Sequence, residues 1–542
     1  MRAFHIAMGY VQFDDPHHYQ RYITEYRKVT PADIRRVARK YLTPKKLVLE
    51  VVPPPPGESE TPAVLVTPTA ARDRSVKPRP VRDETPYLHM PAPAPTSPQL
   101  ELPEVHRHTL SNGLDVWYAP WKTLPLVSVQ LVIPAGGVLD GPERSGLARL
   151  TARCWDKGTE RLTATQFAES LEMLGTSFSV NSGMQTTQVG FTVGADRLAD
   201  SLGLLGDMLA SPRFDDQDVA RERRLMLSAL ARVRDNPQAI AARVFPRLLY
   251  GPDHPFGRPA AGFTQTVSEL KTDDVRTFYQ KYLRPRGAAL VVVGDVDPQQ
   301  LWPVLERQLG AWKGRVPQDS VPPVKAKPQA QRVYLVDKPG AVQSVLMVGR
   351  RWKGRRDPDF PAARVGNRVV GGDFTSRINK NLRERNGYTY GARSGFQFLK
   401  TEGRWVLQTA VRGNVTGAAL REVVGELRAF TSDRPLTEAE FVTAKKAELS
   451  SLDRAFETPS SIAGLMLQMA IFELPEDYFQ RRRGELEAVD LEAARRVVSD
   501  LVPPDRQTIL IVGDRKGVER QLEQAGFRDV RVLDLEGNAI DQ

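Results

Sequence analysis

Three times along this chain, a short amphipathic helix pattern runs into a proline and then into an apolar run. The stretches are Val29–Pro53 (VTPADIRRVARKYLTPKKLVLEVVP), Leu270–Asp295 (LKTDDVRTFYQKYLRPRGAALVVVGD) and Val489–Asp514 (VDLEAARRVVSDLVPPDRQTILIVGD). They align without a gap, so that Tyr41, Tyr282 and Leu501 coincide, as do Pro44, Pro285 and Pro504. Ile34, Val37 and Tyr41 share one helix face. Proline ends the helix, and the continuous apolar run that follows reads as a strand buried on both sides. The copies lie roughly 240 and 220 residues apart, far beyond the about 20–50 residues of a solenoid repeat. That spacing implies duplicated domains, each closing on the same helix–strand unit.

Counting those closures sets the organisation. Two complete units fall at 105–318 and 330–530, joined to what precedes them by a Pro-rich linker at 53–104 that opens PPPPGESETPA and closes MPAPAPTSPQL. Such a linker favours extended, semi-rigid polyproline conformations. Residues 1–52 hold a closure with too little chain before it for a unit of its own, and read as the C-terminal tail of a truncated preceding unit. The stretch MGYVQFDDPHHYQRY supports this, because it parallels QMAIFELPEDYFQRR at 468–482.

Within the first full unit, Asn112-Gly113 marks a hairpin. LVSVQLVIPAGG reads as a strand, with helices at about 145–157, 164–174, 195–210 and 215–235, and a hairpin at 178–193. The second unit repeats the plan. The expected class is α+β: tandem duplicated α/β sandwiches, each a mixed sheet with helices packed on one face.

Charge and composition narrow the function. The net charge of +11 invites a nucleic-acid reading, but arginines scattered among acids argue against one, and no nucleic-acid partner is expected. The dense run Arg350–Arg356 reads as a solvated loop. A single cysteine, Cys154, excludes a disulfide framework and a thiolate metal site. No apolar stretch reaches the about 18 residues of a membrane span, and the N-terminus lacks a signal peptide's pattern. The seven histidines show no pair at helical ligand spacing with a carboxylate between.

The stretch Ser145–Glu160, SGLARLTARCWDKGTE, resembles the zinc-binding helix of the pitrilysin/insulinase family of metallopeptidases. That helix runs Gly-Leu-Ala-His-x-x-Glu-His and then, after apolar residues, Lys-Gly-Thr. Both flanks match, and the strand VQLVIPAGG, the domain closures and the segment LRERNGYTYG extend the likeness over roughly 105–530. In the family two histidines at i and i+4 hold zinc, the intervening glutamate takes a proton from metal-bound water, and a later glutamate completes the site. Here the corresponding positions are Arg149, Ala152, Arg153 and Ala229. Guanidinium is permanently protonated and does not ligate zinc. The resemblance therefore implies a metallopeptidase-like chain that binds no metal itself, with zinc expected only in a partner or in a missing upstream half.

Other family positions survive. GGDFTSRINKNLRERNGYTYGARS (371–394) carries the Arg383 and Tyr390 that the resemblance places across the cleft from the zinc helix, as donors to a developing oxyanion. By the same resemblance, Ser179, Val180 and Asn181 would form an edge strand that accepts an extended peptide. The expectation is a non-catalytic half that encloses a peptide and supplies Arg383 and Tyr390 in trans to a zinc-bearing half. The alternative is a purely structural or peptide-binding member with no part in chemistry. The compartment is unknown; a periplasmic parent follows from the resemblance alone.

Overall fold

The computed structural model describes residues 2–44, 47, 49, 104–317 and 331–540. The Pro-rich linker and most of the strand expected to close the first repeat lie outside them. The chain divides into two units, 1–95 and 96–542.

The larger unit is built on two six-stranded sheets. The first contains β1 (His106–Thr109), β2 (Asp115–Pro120), β3 (Leu126–Ile133), β4 (Ser179–Ser182), β5 (Thr187–Gly194) and β6 (Ala289–Gly294), in the order β1-β2-β6-β3-β5-β4. The second contains β7 (Arg332–Asp337), β8 (Gln343–Trp352), β9 (Ala392–Phe398), β10 (Gly403–Arg412), β11 (Thr508–Gly513) and β12 (Val530–Leu533), in the order β12-β7-β11-β8-β10-β9. Five strands correspond one to one. In each sheet the repeat's closing strand, β6 or β11, is central, parallel to one neighbour and antiparallel to the other. The sixth strand differs: β1 precedes the first set, whereas β12 follows the second. The mixed α+β class and the duplication read from sequence are therefore present in the fold.

Why the closing strands are apolar throughout follows from their place. Leu290 and Val292 face a core of the unit's own helices, whereas Val291 and Val293 face a second core on the opposite side. That second face is covered from the other half of the body. The helix Pro459–Phe472 lays Ile462, Ala463, Met466 and Met469 onto Trp117, Val132, Val291 and Val293. Reciprocally, the helix Pro237–Tyr250 sets Ile240, Ala241, Val244 and Phe245 against Val345, Met347, Leu510 and Val512 of the second sheet. Each sheet thus carries its own helices on one face and an exchanged helix on the other. The exchange converts two repeats into one interlocked body, since neither sheet can bury both faces without the other's chain.

The smaller unit holds three helices, Arg2–Phe13, His18–Tyr26 and Pro31–Tyr41. The last is capped by Thr30, whose hydroxyl accepts from the Asp33 amide while the Asp33 carboxylate accepts from the Thr30 amide. It has the same bounds within the repeat as the helix Leu491–Leu501, which is capped by Asp490. The apolar faces differ in fate. Ala494, Val497 and Leu501 are buried, whereas their counterparts Ile34, Val37 and Tyr41 are 62%, 44% and 68% exposed.

Candidate functional site

The helix Leu147–Trp155 is held at both ends. Asp140, buried, accepts the Gly146 and Ala148 amides, one on each carboxylate oxygen. Burial pushes its carboxyl up to about 7, against those two hydrogen bonds and the nearby Arg258 charge. Gly146 takes φ 102°, and a Cβ there would meet Val267 at 2.9 Å, so only glycine fits. At the far end the Trp155 indole donates to the Met208 carbonyl at 3.0 Å.

The four degenerate positions do not form a metal site. Ala152 is buried and brings only a methyl group. Arg153 donates from Nη2 to Glu222 Oε2 at 2.7 Å, and Glu222 is buried. Arg149 is half-buried with no carboxylate partner among the described residues. Ala229 is exposed. The carboxylate that meets the helix comes instead from Glu222, two turns earlier in the helix Asp216–Val233. Counting forward from the motif did not reach it; its sole sequence signal is an acid on the face of Val219, Met226 and Leu230. The donor set does not fit zinc: its one carboxylate is already bound to a permanent cation, and none of the four positions is an imidazole. Among the described residues no cluster of three or more His, Cys, Asp or Glu could hold a metal ion. Cys154 offers no substitute, because burial pushes its thiol up to about 12.

The second candidate lies beside the second sheet. Its chain leaves the helix Phe360–Asn367 through a π-helical turn at Arg368–Gly372, and a second such turn spans Lys380–Arg385. Wide turns of this kind concentrate at functional positions. Arg383 sits in the second turn, its guanidinium 4.3 Å from the Phe374 ring centroid. Tyr390 is 94% exposed, just ahead of β9. Its backbone is nevertheless fixed. The Thr389 hydroxyl donates to the Ala410 carbonyl at 2.7 Å, and the Ala392 amide donates to Asn379 Oδ1 at 3.0 Å. Asn379, buried, also donates from Nδ2 to the Phe374 carbonyl at 2.6 Å. One amide therefore ties the segment that carries Arg383's aromatic support to the segment that carries Tyr390. Neither Asn379 nor Phe374 was singled out from sequence; an Asn within a helical stretch is the one cue.

Ser179, Val180 and Asn181 fall in β4, the outermost strand of the first sheet. Ser179 and Asn181 are exposed, and Val180 packs on the core. The degenerate helix packs beside β4. The Lys400 amide, in the turn after β9, donates to Gln185 in the turn after β4 at 2.7 Å, so the corresponding edges of the two sheets meet at their hairpin tips.

Comparison with known proteins bears on both candidates. The model for the insulinase family (peptidase family M16) matches residues 121–252, and that for the peptidase M16 inactive domain matches 269–448. An uncharacterized zinc protease of Bacillus subtilis, YmxG, is 22% identical over 75% of this chain and 98% of its own. The non-peptidase homolog YmxG of Helicobacter pylori is 23% identical over 76% and 94%. The crystal structure of a peptidase M16 inactive domain from Pseudomonas fluorescens superposes with a TM-score of 0.71 at 22% identity, over 76% of this chain and 98% of that one.

Proposed function

This chain belongs to the insulinase (M16) family of peptidases, on its non-catalytic side, and from that premise we propose that it encloses a peptide and supplies Arg383 and Tyr390 to a zinc-bearing partner half. The carrying observation is the presentation of Tyr390: a side chain almost wholly in solvent on a backbone fixed from both sides. A phenol held that way loses little further freedom when it meets a substrate. A guanidinium stacked on Phe374 is likewise pre-oriented. Both are hydrogen-bond donors suited to a carbonyl oxygen gaining negative charge. The peptide itself would add to the outer edge of β4 along Ser179, Val180 and Asn181, where unpaired backbone groups favour strand addition.

The reading extends to residues 1–52 as the closing segment of the zinc-bearing unit. Support comes from the matched bounds and caps of Pro31–Tyr41 and Leu491–Leu501, with one apolar face exposed where the other is buried. The Pro-rich stretch 53–104 would join that unit to the body at 105–530.

A second reading is a structural or peptide-binding member without a catalytic role. It is favoured by the name of the Helicobacter relative and by the Arg153–Glu222 pair, which fills the degenerate position with a structural contact. One experiment separates the two. The chain is mixed with a zinc-bearing M16 half, and peptide binding and turnover are measured for Arg383→Ala and Tyr390→Phe. Loss of turnover by about 10²-fold or more with binding retained supports donation to the transition state. Full turnover in both variants refutes it and leaves the binding role.

A further inference from the structure

The densely basic run Arg350–Arg356, which begins within the last residues of β8, does not form the solvated loop its sequence suggests. Arg351 makes a two-point contact with Glu402, Arg350 donates to the Asp500 carbonyl, and Arg356 binds the Phe472 and Glu473 carbonyls at the end of the exchanged helix. Arg355 turns instead into a cavity of about 620 Å³, whose other walls are the segment Glu473–Arg482 and the start of the helix Leu491–Leu501.

Charge inside this cavity is unevenly matched. Of its lining acids, Asp357, Asp359 and Glu473 are taken up by cations at the rim. Asp359 receives Lys353 and Arg496, each at 2.7 Å, and Glu473 receives Arg356 at 3.1 Å. All three cations are at least 46% exposed at the side chain. The deeper guanidiniums are less well matched. Arg355 has no carboxylate within ion-pair distance among the described residues, and its Nη1 is buried without an acceptor. Arg482, 5% exposed, pairs among the described residues with Glu485 alone, at 3.6 Å, and that carboxylate is 42% exposed. The two share one aromatic ring, at 3.9 and 4.7 Å from the Phe360 centroid. Beside them the Tyr478 hydroxyl is buried, with Arg355 as its polar neighbour and no well-formed hydrogen bond among the described residues. A guanidinium removed from water without an anion is strongly unfavourable, and two together repel. Burial, the leading cause, pulls Arg355 down to about 10.

We propose that this cavity is a binding site for a small oxyanion, a phosphate or carboxylate group held by Arg355, Arg482 and the Tyr478 hydroxyl. Guanidiniums supply paired donors that match either group. The phenol supplies a third donor, and the Phe360 ring keeps both cations oriented. The site stands apart from Arg383 and Tyr390 in sequence and in its lining, and it does not depend on the reading of those residues.

Calorimetric titration of the full chain tests this, with inorganic phosphate in one arm and citrate in the other, at constant ionic strength in chloride. The expected result is saturable one-to-one binding in at least one arm, which also tells phosphate from carboxylate. Arg355→Gln should weaken it more than about tenfold. Tyr478→Phe should weaken it by a smaller factor, and it reports on the site even if the arginine variant does not fold. Arg515→Gln, an exposed arginine paired with Glu519 and outside the cavity, should leave it unchanged. No saturable heat in either arm, or binding untouched by Arg355→Gln and Tyr478→Phe, overturns the assignment.

Discussion

The Arg153–Glu222 pair makes an asymmetric prediction. Glu222's side chain is 7% exposed and Arg153's is 37% exposed. Glu222→Gln strands a guanidinium that can still reach water, so the cost falls well below that of a fully buried pair, at about 1–2 kcal/mol. Arg153→Met strands a carboxylate with little access to solvent. Arg221 offers it only a distant contact, 3.7 Å away. That variant should cost about 3–5 kcal/mol. The double variant Arg153→Met/Glu222→Met removes both charges and should recover most of the loss, because a well-packed apolar pair replaces a buried ion pair at little cost. Urea unfolding followed by far-UV circular dichroism reads all three, with the coupling taken from the double-mutant cycle. If Arg153→Met cost no more than Glu222→Gln, or if the double variant were as unstable as the worse single one, the pair would not be the structural substitute described above.

Further expectations concern the scaffold. Met466→Ala empties a site between the exchanged helix and the first sheet, and Met466 is 2% exposed. It should lower stability by about 2–5 kcal/mol in urea titration, and the second sheet should melt in the same transition rather than separately. Glu440 is opposed by burial, but hydrogen bonds from Arg377 and from the Thr437 amide and hydroxyl outweigh it and hold the carboxyl at about 2. Its folded value lies below the unfolded one, so its contribution is complete above about pH 4.5 and lost as pH falls towards 2. Arg377→Gln should flatten the acid limb of stability against pH over that window.

How much of this was legible beforehand depended on periodicity. The closing strands β6 and β11 were read correctly as buried on both sides because their apolar runs are unbroken. The sequence did not disclose what buries the second side. Both exchanged helices escaped notice: Pro237–Tyr250 contains Pro246, which argues against a helix, and Pro459–Phe472 is apolar nearly all round, so no face stands out. Their partners are strands roughly a hundred residues away or more, a relation local pattern cannot encode. The degenerate helix was legible from flanking glycine and Lys-Gly-Thr, but Glu222 was not, because an ion pair formed in place of a metal need not keep the metal's spacing. Tyr390 was legible as a residue. Its exposure, and the buried Asn379 that fixes the chain beside it, depend on tertiary hydrogen bonds.

What most decides the role of this chain is whether Arg149, Ala152, Arg153 and Ala229 can hold zinc. Equilibrium dialysis of the purified, tag-free chain against buffered zinc, followed by elemental analysis, measures that directly. The predicted result is no stoichiometric zinc and no chelator-sensitive peptide cleavage without a partner half; one tightly held zinc per chain together with such cleavage would contradict it.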